Sequence, residues 1–509
     1  MKPDPYVMYK FYAALLSVVL ITGCGVQRGS FNPNKKYAPQ KLQQDYHIFR
    51  SLVEESHPGL YWYTPKETMN RYFETGEEAL RDSLTERNFR KVLSYVYSRV
   101  NCGHSSVRSS KKYARHLDSL RLLAFPLSFK LWDRNGRGAS DTVVITANLN
   151  RKDSTLVRGT VITKIEGKPV HEIIDTLFRF IPSDGFNLTH KYQVLSNGGS
   201  FGTLYTTVFG IRKNYSIEYL DSTGQLKTTL IPVYDPRKDS TSRKPGMRFS
   251  RLHKKERKRR EKENTRNIRF AEKDPTAYMT LNSFSTGYGL GRFFHRSFKA
   301  IRKNQTQNLV IDLRGNGGGS VGNSTKLTKY ISDKPFKIAD SLYAIRKKSA
   351  YSRYIQKDFF NRLFKTLFTK KMSDGNYHFR YFERHFFTPK KLNHFNGTVY
   401  LVTGGNSFSA TTLFTLSVRD QDNVIVVGEE TGGGAYGNTA WLIPDVTLPN
   451  TGVRFRLPLF RLVINRDAPK TGLGVQPEIE VRPSVQAIRL GKDYKMEKVN
   501  ELIREKGQD

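Results

Sequence analysis

The chain is poor in cysteine and poor in acid. Its 509 residues include two cysteines, which excludes a disulfide framework and a four-thiolate zinc site. Against 84 Lys and Arg stand 46 Asp and Glu, a formal net charge of +38. That imbalance points first to nucleic acid or an anionic membrane as partner. Clustered His/Cys/carboxylate spacing is missing, as is a Gly-Lys-Ser/Thr loop, so no metal and no organic cofactor is implied. What is there suffices for folding: 38% hydrophobic and 12% aromatic residues exclude a wholly disordered chain. The length suggests about two to four domains.

The first residues bear on where the protein resides. A mildly basic start, Lys2 to Lys10, precedes the apolar run Phe11 to Ile21 and then Ile21-Thr22-Gly23-Cys24. The run is too short to span a bilayer and reads as a secretory signal. Its ending resembles the lipobox of bacterial lipoproteins, which implies lipidation of Cys24 and a bacterial cell-envelope location, lipid-anchored on the periplasmic or outer-membrane side. Export argues against nucleic acid and leaves polypeptide and membrane as the expected partners. Cys102 then has no intramolecular partner.

Along the chain, residues 1–23 form the signal and 24–37 a polar tether. Residues 38–115 carry helical spacing, with Leu42, Tyr46, Phe49 and Leu52, then Phe89, Val92, Leu93 and Val96. Residues 120–235 alternate as short strands, and Val157 to Val170 leading into a helix over His171 to Phe180 resembles the distal half of a PDZ domain. Residues 236–272 read as a solvated basic linker, since 236–270 hold 15 Lys or Arg and 4 Asp or Glu. Short apolar strands with intervening helices over 273–344 and 398–485 predict an α/β core. The insertion 345–397 holds 13 basic and 3 acidic residues. Within it Ile355, Phe359, Phe360, Leu363, Phe364, Leu367 and Phe368 make one helical face, expected to pack as a lid or to lie on an anionic membrane. Residues 486–509 are a tail.

Two glycine-rich turns follow apolar strands. Leu309 to Leu313 leads into Arg314-Gly315-Asn316-Gly317-Gly318-Gly319, whose backbone amides can approach an anion closely. Val399 to Thr403 leads into Gly404-Gly405-Asn406-Ser407-Phe408-Ser409-Ala410, a strand-to-helix turn. A hydroxyl there either caps the helix or serves as a nucleophile beside unpaired amides. With Gly428-Glu429-Glu430-Thr431 and Gly474-Val475-Gln476-Pro477-Glu478-Ile479, these motifs occur in the order found in the C-terminal processing and tricorn-core serine peptidases, which the chain resembles over about residues 38 to 485.

The resemblance implies an α/β fold with a crotonase/ClpP-like core, an N-terminal helical domain and a PDZ-like β domain. It implies Ser409 as nucleophile, with the amides of Gly318 and Ala410 as the oxyanion hole. One branch of the family places a lysine about 25 residues after the serine, but position 434 is glycine and Glu429 to Trp441 holds no lysine. The tricorn-like branch uses a Gly-His-Ser/Thr turn, matched by Gly103-His104-Ser105, so His104 is the expected general base. That branch also expects a Glu where Thr471 stands; Asp467 is the expected substitute, with Glu430, or no acid at all, as alternatives. Cys102 is expected to be a buried free thiol.

The expected activity is that of a serine endopeptidase cleaving exported or envelope polypeptides. Alternatives are an inactive peptide-binding lipoprotein on the same fold, or a basic envelope-binding protein.

Overall fold

The structure is a computed structural model describing residues 31–133, 141–239 and 254–507. Cys24 and the signal lie outside the described residues, and no described helix is long and apolar enough to cross a membrane.

At the centre lies a six-stranded sheet in the order Arg266–Phe270, Thr276–Leu281, Asn308–Asp312, Thr398–Thr403, Val424–Gly428, Ile479–Glu480. The first pair is antiparallel and the rest are parallel. Parallel strands need crossover connections, here supplied by Leu290–Lys303 and Ala410–Val418, among others. Both sheet faces are covered, as the continuous apolar strands require. Leu309 and Ile311 join Phe294, Phe298 and Phe414 on one face. Val310 and Val402 meet Val499 and Ile503 of the C-terminal helix Tyr494–Lys506 on the other.

The helices Pro39–Ser56, Lys66–Glu78 and Glu86–Ser98 appear as the spacing predicts, the last capped by Thr85, whose hydroxyl accepts from the Asn88 amide at 3.3 Å. They have no core of their own. Leu42, Phe49, Phe89 and Leu93 share one cluster with Phe455, Leu457 and Phe460 of the C-terminal part of the chain. Phe49 and Phe455 meet edge-on with centroids 5.1 Å apart. Each such buried side chain contributes about 1.5–3 kcal/mol, so the turn after Glu86–Ser98, which carries His104, is fixed firmly against the core.

The β unit is an antiparallel sheet of Leu127–Asp133, Asp141–Asn148, Val161–Ile165, Asn214–Leu220 and Leu226–Pro232 in that order, with the helix Val170–Phe178 following the Gly167 turn.

Two boundaries differ from the expectations. Twelve residues of the supposed linker form the helix Lys254–Thr265, largely exposed and laced by ion pairs such as Arg260 to Glu256 at 2.8 Å, which offset the repulsion of its like charges. The strand Arg266–Phe270 then pairs along Thr276–Leu281, so the core sheet begins inside that segment. In the insertion, the helix Asp358–Phe368 docks through Phe364, while Phe359, Phe360, Leu363, Leu367 and Phe368 remain exposed.

Candidate active site

Because Asn308–Asp312 and Thr398–Thr403 are adjacent and parallel, the two glycine-rich turns leave the same edge of the sheet. That edge, at the carboxyl ends of parallel strands, is where open α/β sheets bind ligands. The turns lock together: the Phe408 amide and the Thr411 hydroxyl both donate to the Asn316 carbonyl, at 3.1 and 2.9 Å. Asp312 and Arg314 are scaffold. The Arg314 guanidinium bridges Asp312 (2.7 Å) and Asp493 (2.6 Å), tying the loop to the C-terminal helix.

The two hydroxyls of the second turn have different roles. Ser407 is fully buried and donates to the Leu313 carbonyl at 2.9 Å, so it is structural. Ser409 stands at the N-cap of Ala410–Val418 but makes no capping bond, which removes the plain capping role. Its φ of 59° lies in the left-handed region, strained for a residue with a Cβ, as at nucleophile turns that lift a hydroxyl off the end of a sheet. Gly432 and Gly433 pack beneath, their amides donating to the Ser407 carbonyl at 2.9 and 3.3 Å. A Cβ on Gly433 would clash with the Thr412 hydroxyl, which explains the glycine at that position after Thr431.

His104 comes from the turn after the helical segment, and its Nε2 lies 3.0 Å from Ser409 Oγ. The ring is 7% exposed and packs against Phe408 at 4.8 Å between centroids. Burial first, then the charges of Arg456 and His190, push its pKa down to about 3. The imidazole is therefore neutral and able to accept a proton. The sequence thus brings together Ser409 and His104 across 305 residues.

Asp467 is not brought to them, and this corrects the expected third member. It lies exposed in the turn after Phe460–Val463, its amide donating to Asn465 Oδ1 at 2.9 Å. Glu430 is also engaged elsewhere, accepting from Thr189 and the Gly474 amide at 2.6 Å each. The carboxylate beside the imidazole is Asp184. An Asp184 oxygen, a His104 ring nitrogen and Cys102 Sγ all lie within 4.8 Å of one another. Asp184 is 2% exposed and accepts from the amides of Gly103 (2.8 Å) and Gly434 (3.3 Å), while burial raises its pKa. His104 Nδ1 is buried with no hydrogen-bond partner among the described residues. In the sequence, Ser183-Asp184-Gly185 reads as an ordinary turn, so nothing marked it out.

Gly318 stands against Ser409: a Cβ there would meet Ser409 Cβ at 2.8 Å. Its amide, however, donates to Asn316 Oδ1 at 3.0 Å and is not free for an oxyanion in this conformation. The Ala410 amide opens a helix, where first-turn N–H groups lack intrahelical acceptors.

The cleft over Ser409 has a volume of about 610 Å³ and carries two further groups without a motif to reveal them. His190 donates from Nδ1 to the Gly405 carbonyl at 2.8 Å and stacks on Phe408 at 5.0 Å. Arg456 lines the cleft and forms no side-chain hydrogen bond or ion pair among the described residues. Cys102 Sγ donates to the Thr439 carbonyl at 3.6 Å, and burial pushes its thiol up to about 11, so it is protonated and inert.

A strained serine at the end of a parallel sheet, bonded to a neutral imidazole, defines a serine hydrolase site. Residues 275–481 match the family model of peptidase family S41. The chain carries a peptidase S41 domain and belongs with the serine-type peptidases. Among solved structures it is similar to mature CPAF complexed with lactacystin, at 14% identity over 91% of this chain and 98% of that one, with a TM-score of 0.60. Mature CPAF gives 14% identity, 89% and 94% coverage, and a TM-score of 0.60. The tricorn protease gives 14% identity over 92% of this chain and 37% of that one, with a TM-score of 0.40. No curated protein matches the chain by sequence.

Proposed function

We propose that the protein is a serine endopeptidase acting on exported or envelope polypeptides, with His104 as general base. The observation that carries this reading is the 3.0 Å contact between Ser409 Oγ and His104 Nε2. Ser409 Oγ attacks the peptide carbonyl while its proton passes to Nε2; the tetrahedral oxyanion meets the Ala410 amide. Collapse expels the amine, which takes the proton from His104, and leaves an acyl-serine that water hydrolyses by the same shuttle. Asp184, rather than Asp467, is the carboxylate suited to orient the imidazole and to stabilise its charge, since a carboxylate oxygen of Asp184 lies within 4.8 Å of a His104 ring nitrogen whereas Asp467 is exposed in the turn at Asn465. Gly318 joins the oxyanion hole only if its amide leaves Asn316.

The α/β core is assigned the crotonase/ClpP-like architecture, and the β unit a PDZ-like role in holding substrate chain. Cys24, as the lipidated residue, places the enzyme on the bacterial envelope. Hydrolysis of an unfolded protein substrate tests the activity: wild type cleaves it and Ser409→Ala does not. Equal turnover by both would return the site to peptide binding without catalysis.

A further inference from the structure

The insertion leaves an apolar face uncovered. The helix Asp358–Phe368 is held from within by Phe364, edge-on to Phe379 at 5.5 Å, and by Lys365, which is buried and donates to the Arg346 carbonyl at 3.1 Å. Its outer side presents Phe359 (63% exposed), Phe360 (65%), Leu367 (65%) and Phe368 (53%). Exposed apolar residues gathered in one patch mark an interaction surface. A lid over a cleft would bury this face, and the catalytic cleft is lined by none of these residues.

Beside the helix is an open hollow of about 590 Å³, into which Leu367 and Phe368 project together with Lys370, Arg380, Tyr381 and Arg384. Its three cations form no ion pair among the described residues, and Arg380 Nε is buried without a hydrogen-bond partner. The nearby acids are already occupied: His378 is bonded to Asp374 at 2.9 Å and to Glu383 at 2.6 Å. The hollow therefore offers unsatisfied donors and positive charge directly next to exposed aromatic and aliphatic side chains.

We propose that this face seats the protein on a bilayer, with the hollow taking the phosphate of an anionic phospholipid headgroup and the helix laying its phenylalanines and leucines among the acyl chains. Charge complementarity selects this occupant. The insertion holds 13 basic and 3 acidic residues, so a second copy of the chain would bring like charge to the patch, whereas anionic lipid neutralises it. An amphipathic helix with cations flanking an aromatic side has the composition of an interfacial segment. The contact is independent of the catalytic reading and of lipidation at Cys24.

The test uses the full chain carrying Cys24→Ser, so that no acyl chain can attach, with vesicles of phosphatidylglycerol mixed into phosphatidylcholine and vesicles of phosphatidylcholine alone. Co-sedimentation is expected with the anionic vesicles only, weakening as salt is raised. Replacing Phe360, Leu367 and Phe368 by Ser should lower the partition by at least about tenfold. Replacing Lys370, Arg380 and Arg384 by Glu should lower it by about a hundredfold. Thermal unfolding midpoints close to that of the parent show that each variant folds. The proposal is overturned by equal binding to neutral vesicles, or by folded variants that bind like the parent. It is equally overturned by full displacement from vesicles with millimolar inorganic phosphate, which would make the hollow a site for free anion. Self-association that the Ser variant abolishes, without vesicle binding, would assign the face to a second copy.

Discussion

The Asp184 carboxylate accepts the amide proton of Gly103 at 2.8 Å, which fastens the turn carrying His104 to the segment that follows the helix Val170–Phe178. The adjacent Gly185 sits against Gly472, where a Cβ would clash with the Gly472 backbone, so this turn is docked too closely for any larger residue. Asp184 is thus held in place from both sides, next to the imidazole it is assigned to orient.

Replacing that carboxylate tests its role. Asp184→Asn keeps the size but removes the charge that would stabilise an imidazolium, and kcat should fall by about 10²–10⁴-fold with KM little changed. Asp467→Ala, at an exposed turn, should leave both constants unaltered. The readout that separates orientation from mere packing is the pH profile: loss of an anion beside the ring should displace the acid limb downward.

The acid limb itself is a second test. Burial, then Arg456, then His190 hold the His104 imidazolium well below its ordinary value of 6.5. The free enzyme therefore keeps its base below that pH, and kcat/KM should persist into mildly acidic solution. Arg456→Met removes one of the cations that disfavours the imidazolium, so its acid limb should move upward. A limb at 6.5 or above in wild type, unmoved in the variant, contradicts this electrostatic account.

Acid stability follows from His57. It is 2% exposed, its Nδ1 accepts from the Gly59 amide at 3.2 Å, and its Nε2–H donates to Ser105 Oγ at 3.0 Å. Burial is the main cause that lowers its pKa from 6.5 to about 3. The unfolded chain binds this proton first, so the contribution is complete above pH 6.5 and is lost as pH falls toward 3. Denaturant midpoints measured across that window should decline, and His57→Gln, though less stable at neutral pH, should show a shallower decline.

Cys102 should resist iodoacetamide in the native state at pH 8, because its buried thiol is protonated up to about 11. Cys102→Ala should retain Ser409-dependent turnover. Rapid alkylation accompanied by inactivation would contradict the buried, protonated thiol and point to a catalytic part for Cys102.

The sequence shows what lies in contiguous motifs and misses what the fold assembles from separate turns. The apolar runs Leu309–Leu313 and Val399–Thr403 announce parallel strands because both faces are buried, and Ser409 follows from its place after the second. His104 is legible through Gly103-His104-Ser105 once the tricorn-like pattern is recognised. Asp184 is not, because its function depends on docking between Gly103 and Gly434, residues 81 and 250 positions away. The occupied Gly318 amide is equally invisible, since a glycine in sequence does not reveal where its N–H points. The phenylalanines of Asp358–Phe368 carry a helical period but not the side on which that helix will dock.

Intact-mass and peptide mapping after treatment with a fluorophosphonate tests the central claim most directly. The account predicts a single adduct on Ser409, formed by wild type, absent from Ser409→Ala and strongly slowed in His104→Ala. An unlabelled wild-type protein, or an adduct at a serine other than Ser409, would contradict it.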